Sequence, residues 1–155
     1  MSRVSTNLVV MPAGPALVRE LAPRDTAGQR MVAALRSLVD APLPQADSTR
    51  DRVSLLLQGY LDALAADHTL VAGIGEPEAA VTHRRVAASA LVEKLREIIG
   101  VGDFPRHIWA LWGWVGFLEA AGRHWVDDGC PADQRWPLIE AALGALEGAL
   151  GDWRV

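Results

Sequence analysis

Glu119, His124, Asp127 and Asp128 are the residues whose types come nearest to a metal or acid–base site. His124 and Asp128 stand four apart, so on a helix their side chains are neighbours. The four positions do not share one helical face, however, and no metal site is expected. Cys130 precedes Pro131 with no histidine placed to activate it, so an inert or surface thiol is expected rather than a nucleophile. His68, His83 and His107 fall near helix ends, where imidazole commonly caps or is solvated. No acid–base pair remains, so no catalytic residue, cofactor or enzymatic activity is assigned.

Two polar residues on apolar segments carry more information. Glu119 is the one charge within a long apolar helix, and an unpaired buried carboxylate is expensive. Arg123, four residues on, is its expected partner. Tyr60 is the chain's only tyrosine, and its hydroxyl offers one directional hydrogen bond within an apolar stripe.

The chain of 155 residues suits one domain with its own core. A single cysteine excludes an internal disulfide and agrees with a reducing compartment, so the cytoplasm is expected. The apolar piece Leu8 to Met11 is too short for a signal peptide and is followed by Pro12, Gly14 and Pro15. The longest uncharged apolar run, Ile108 to Leu118, falls short of the roughly 20 residues of a membrane span. Net charge is −4 and the basic residues, all arginine except Lys94, are scattered. Direct nucleic-acid binding is therefore not expected, because a duplex binder gathers its cations on one face.

Residues 1–25 hold Pro12, Pro15 and Pro23 and read as an irregular segment with one helical turn around Ala16 to Leu21. The domain is expected over 26–155. From Thr26, a plausible N-cap, one helix carries Met31, Leu35, Leu38 and Val39 on a single face until Pro42 and Pro44 stop it. Ser48 or Thr49 caps a second, roughly Arg50 to Ala66, with Val53, Leu56, Leu57, Tyr60, Leu61 and Leu64 inward. A short helix or turn near Thr69 to Ile74, closed by Gly73 and Gly75, leads to a long helix from Pro77 to Ile99. That helix should turn Val81, Val86, Leu91, Leu95, Ile98 and Ile99 inward and Arg84 outward. Asp103 or Pro105 opens the tryptophan-rich helix, which runs to Val126. The last helix starts between Pro131 and Trp136 and carries Trp136, Ile139, Leu143, Leu146 and Leu150 at spacings of three and four. Apart from Leu8 to Met11 no segment alternates as a strand does, so the fold is all-α.

The segment from Ile108 to Trp125 contains Trp109, Trp112 and Trp114 and is apolar around most of its circumference. Such a helix must be buried on most sides, and a small domain has too little protein to surround it. A second copy of the chain supplies the missing cover. Gly116 and Ala120 flatten one face for close approach, as do Ala141, Ala145, Ala149, Gly144 and Gly148 on the last helix.

The stretch HIWALWGWVGFLEAAGRHWVDDGCPADQRWPLIEAALGAL resembles the last two helices of the C-terminal regulatory domain of TetR-family transcriptional regulators. The matching residues are Trp109, Ala110, Leu111, Gly116, Phe117, Glu119, Ala120, Trp125, Asp127, Pro131, Leu143 and Leu146. Upstream helices are similar to those that build the family's effector pocket, and the helix from Ala27 to Asp40 resembles the one joining pocket to DNA-binding head. The resemblance covers about residues 26–150. It implies a homodimer through a four-helix bundle, with Gly116, Phe117, Ala120, Ile139, Leu143, Leu146 and Leu150 at the interface. It also implies a cavity for a small hydrophobic effector, lined by Leu56, Tyr60, Leu64, Leu91, Leu95, Trp109 and Trp112.

The family's helix-turn-helix head has no counterpart in the residues before Thr26, so DNA binding does not carry over. The expected function is a TetR-like effector-binding and dimerisation domain, acting by sensing a ligand or by pairing with a complete TetR-like homologue. Two alternatives stand beside it: a complete repressor whose head is missing from this chain, and a small helical enzyme or carrier.

Overall fold

The computed structural model describes residues 27–42, 45–71 and 78–151. Within them the chain is all-α, with α1 Ala27–Asp40, α2 Thr49–Ala66, a 3-10 turn His68–Val71, α3 Glu78–Ile99, α4 Pro105–Asp127 and α5 Ala132–Leu150. No helix among them is long and apolar enough to cross a membrane. The expectations for Leu8 to Met11, Ala16 to Leu21, the Thr26 cap, Gly73, Gly75 and Pro77 lie outside the described residues.

Local chemistry sets the helix limits. Extended Ser48 accepts the backbone N–H of Asp51 at 3.1 Å, satisfying one of the donors that the first turn of α2 leaves open. Gly100 takes a φ of +73° and closes α3, its N–H donating to the Arg96 carbonyl at 2.8 Å. Asp103 does not cap α4. Phe104 is its N-cap without a side-chain bond, Pro105 opens the helix, and Asp103 pairs with Arg96 across the turn. α5 begins at Ala132 and runs through Pro137, which has no N–H for the backbone bond at its position.

α2 lies at the centre, and its stripe Val53, Leu56, Leu57, Tyr60, Leu61 and Leu64 is buried as the spacing requires. α1 packs chiefly on α3, and α4 chiefly on α5. Gly28 permits the first contact, since a Cβ there would stand 2.9 Å from His83 Cβ. The inner face of α3 needs correction: Val81 and Val86 are exposed, and Ala87, Ala88, Leu91, Leu95 and Ile98 are buried. The small Ala87 and Ala88 let a neighbouring helix come close where branched valines would hold it away. Arg84 falls on that same stripe by its spacing and is half-buried, not outward.

The expectation that Ile139, Leu143, Leu146 and Leu150 face a second chain is also corrected. Their exposures in the single chain are 1%, 0%, 0% and 6%, which leaves almost no surface to offer a partner. Their spacing makes one apolar stripe, and the chain's own core claims it. Each buried side chain of this kind contributes about 1.5–3 kcal/mol. The tryptophans divide by face. Trp114 is buried and donates its indole N–H to the Ala142 carbonyl of α5 at 2.6 Å, while Trp125 donates to the Pro131 carbonyl at 3.1 Å. α5 is tied to α2 by Arg50 with Glu147 at 2.9 Å and by Arg135 with Asp62 at 2.7 Å.

Candidate functional site

Tyr60 leaves the α2 stripe at the level of Gly122 on α4. A Cβ on Gly122 would stand 3.3 Å from the Tyr60 hydroxyl oxygen and 2.8 Å from Leu64 Cδ1, so the missing side chain is what lets α4 lie against the ring. The ring is 3% exposed, and its hydroxyl has no hydrogen-bond partner. It opens on a recess lined by Met31 of α1, Leu70 and Val71 of the 3-10 turn, Arg84 of α3, and Glu119 and Arg123 of α4. Four helices and the turn therefore meet at one small chamber. The recess holds about 240 Å³ of empty space counted out into its open mouth. The space it leaves for a water-sized body is small, about 10 Å³, room for a single water molecule.

Burial pushes the Glu119 carboxyl above the ordinary glutamate range, and Arg84 and then Arg123 pull it back. Burial also raises the Tyr60 phenol, with Glu119 adding to the rise and Arg123 opposing it. The hydroxyl therefore stays protonated and can donate. The expected Glu119–Arg123 ion pair is not closed: among the described residues Glu119 forms no salt bridge or hydrogen bond with either arginine. Arg123 Nε is itself buried without a partner. Two guanidinium groups, one carboxyl and one phenol thus face an apolar floor of Met31, Leu70 and Val71. Together they form a small polar cluster beside apolar side chains. It includes no nucleophile, and among the described residues no cluster of His, Cys, Asp and Glu is arranged to hold a metal.

Of the seven residues expected to line a cavity, Tyr60 alone is at the recess. Leu56, Leu64, Leu91 and Leu95 are packed in the core, each exposed by 2% or less. Trp109 and Trp112 point outward instead, with exposures of 75% and 37%. Sequence reasoning missed Met31, Leu70, Val71, Arg84, Glu119 and Arg123 as lining residues. Arg84 had a signal, since it precedes Ala87, Ala88 and Leu91 by three, four and seven residues and so shares their face.

A second feature is the outward side of α4 and α5. Trp109, Trp112, Gly113, Gly116 and Ala120 are exposed along α4, and Phe117 is half-buried. Ala141, Gly144, Ala145 and Gly148 are exposed along α5. Nothing lies within 4 Å of where a Cβ would stand on Gly113, Gly116, Gly144 or Gly148.

The expectation that no histidine stands near Cys130 is corrected too. His68 Nε2 lies 3.6 Å from Cys130 Sγ, brought there by the fold across 62 positions of sequence. Cys130 has a φ of 56°, a strained value for a residue with a side chain. His124 Nε2 is 3.7 Å from Asp128 Oδ2 on the surface, an isolated pair rather than a metal centre.

Comparison of the chain with protein-family models, curated proteins and solved structures found no match.

Proposed function

We propose that this chain is a regulatory domain of TetR type, which dimerises through the outward faces of α4 and α5 and takes a small effector into the recess at Tyr60. The observation that carries the reading is the outward face itself. Trp109 and Trp112 are exposed beside Gly113, Gly116 and Ala120, opposite the buried stripe of the same helix. An apolar face of this kind on a soluble domain marks an interaction surface, and covering it gains roughly 25 cal/mol per Å². Small residues on both helices let a second pair of helices approach closely without side chains between the backbones.

The sensor half rests on the buried, unpartnered Tyr60 hydroxyl and on Met31. The resemblance makes α1 the helix that joins effector pocket to DNA-binding head, and Met31 places α1 at the recess wall. Duplex recognition falls to a complete TetR-like homologue paired with this chain, since a net charge of −4 does not attract phosphate.

The test is the mass in solution of the wild-type chain and of Ala120→Glu and Ala145→Glu. Both alanines are exposed in the single chain, so the helices should persist. Light scattering should give a dimer for the wild type and a monomer of unchanged helicity for each variant. A wild-type monomer, or a dimer that survives both charges, removes the dimer reading.

A further inference from the structure

The recess bears on the kind of molecule it would hold, and this step rests on the sensor half of the proposed function. Arg84 and Arg123 reach it from different helices, and neither is neutralised by a closed salt bridge among the described residues. Glu119 is the single acidic residue of the lining, so the formal balance with Glu119 ionised is one net positive charge. Tyr60, 3% exposed as a residue, adds a neutral O–H that is buried and lacks an acceptor. A buried donor left unmade costs about 1–3 kcal/mol, so a ligand that accepts from it recovers what the empty site forgoes. The recess is small and open to one side, so a head group must seat at its mouth, and Met31, Leu70 and Val71 of the lining offer apolar contact.

We propose that the recess binds a small amphiphilic carboxylic acid, its carboxylate set between the Arg84 and Arg123 guanidinium groups and accepting from the Tyr60 hydroxyl, its apolar body against Met31, Leu70 and Val71. Planar guanidinium groups match carboxylate geometry, and such charge-assisted bonds are about twice as strong as neutral ones. An amine would meet two guanidinium groups. A phosphate dianion would exceed the available positive charge. A neutral hydrophobic molecule would leave both arginines without an acceptor.

The experiment is calorimetric titration and thermal melting of the full chain with acetate, hexanoate, decanoate and benzoate. Their primary amides, hexylamine and inorganic phosphate are measured beside them. At least one acid should bind and raise the melting temperature, its amide should bind about tenfold more weakly or worse, and the amine and phosphate should not bind. Arg84→Met and Arg123→Met should each weaken the acid about tenfold or more, whereas Arg36→Met, exposed on α1, should not. Tyr60→Phe keeps the ring and should weaken the acid severalfold, which provides a second readout if an arginine variant folds poorly. Equal binding of acid and amide, or acid binding indifferent to all three recess variants, overturns the carboxylate assignment and leaves a sensor of other ligands. Absence of binding by every probe overturns the carboxylate proposal and removes support for the sensor half, while the dimer is judged separately by mass.

Discussion

The indole N–H of Trp114 donates to the Ala142 carbonyl at 2.6 Å, a bond from α4 into the backbone of α5. That carbonyl already belongs to a helix, so the indole uses its second lone pair and fixes the two helices in register. Trp114→Phe removes the donor and part of a ring that is 3% exposed. A loss of about 2 kcal/mol is expected in chemical denaturation. Trp109→Phe, on the exposed side, should change monomer stability by less than about 0.5 kcal/mol. Equal effects at the two positions would contradict the division of the tryptophans by face.

The stripe on α2 and the all-α character were legible because both depend on local spacing. What spacing cannot tell is which body covers a stripe. Ile139, Leu143 and Leu146 read equally well as an interface or as a core, and only the arrival of other helices of the same chain decides for the core. Trp109 and Trp112 show the converse, since apolar character suggests burial while the structure turns them outward. The recess was half legible: Tyr60 and Glu119 stood out as polar groups on apolar segments, but their meeting with Arg84 depends on how α2, α3 and α4 pack. The Cys130–His68 approach, across 62 positions, had no local signal at all.

Glycine replacements on α4 should separate the two sides of that helix. At Gly116 a Cβ meets nothing within 4 Å, so Gly116→Ala should stabilise the isolated chain by about 1 kcal/mol through helix propensity. If two copies pack closely at this face, the same change should weaken their association, which dilution followed by sedimentation will show. At Gly122 the new methyl would press on Leu64 and the Tyr60 hydroxyl. Overpacking of about 1–3 kcal/mol should outweigh the propensity gain, so Gly122→Ala is expected to destabilise.

Tyr60→Phe offers a sharper test of the recess in the absence of ligand. The hydroxyl is buried and lacks a partner, so its removal should leave stability unchanged or raise it by up to about 1 kcal/mol. A clear loss in thermal melting would mean that the hydroxyl is satisfied in solution by a group or water fixed in the recess.

Glu119 and Asp67 should give pH dependences of opposite sign. Burial holds the folded-state value of Glu119 above its ordinary one, against the pull of Arg84 and then Arg123, so in the window between the two values the folded chain binds more protons than the unfolded chain. Its contribution to stability is present below the ordinary glutamate value and is lost as pH rises through the raised one. Asp67 is shifted the other way, first by the Thr69 hydroxyl that donates to its carboxylate, with Arg30 3.4 Å away adding to the effect. Its contribution is present above the ordinary aspartate value and is lost as pH falls through the depressed one. Glu119→Gln should therefore flatten the decline in stability just above the ordinary glutamate value, while Asp67→Asn should flatten part of the acid-side decline below the ordinary aspartate value. Denaturant midpoints of the wild type and the two variants, measured across the acidic range, check both signs. A Glu119→Gln curve parallel to that of the wild type would mean that Glu119 stays solvated at the mouth rather than facing into the recess.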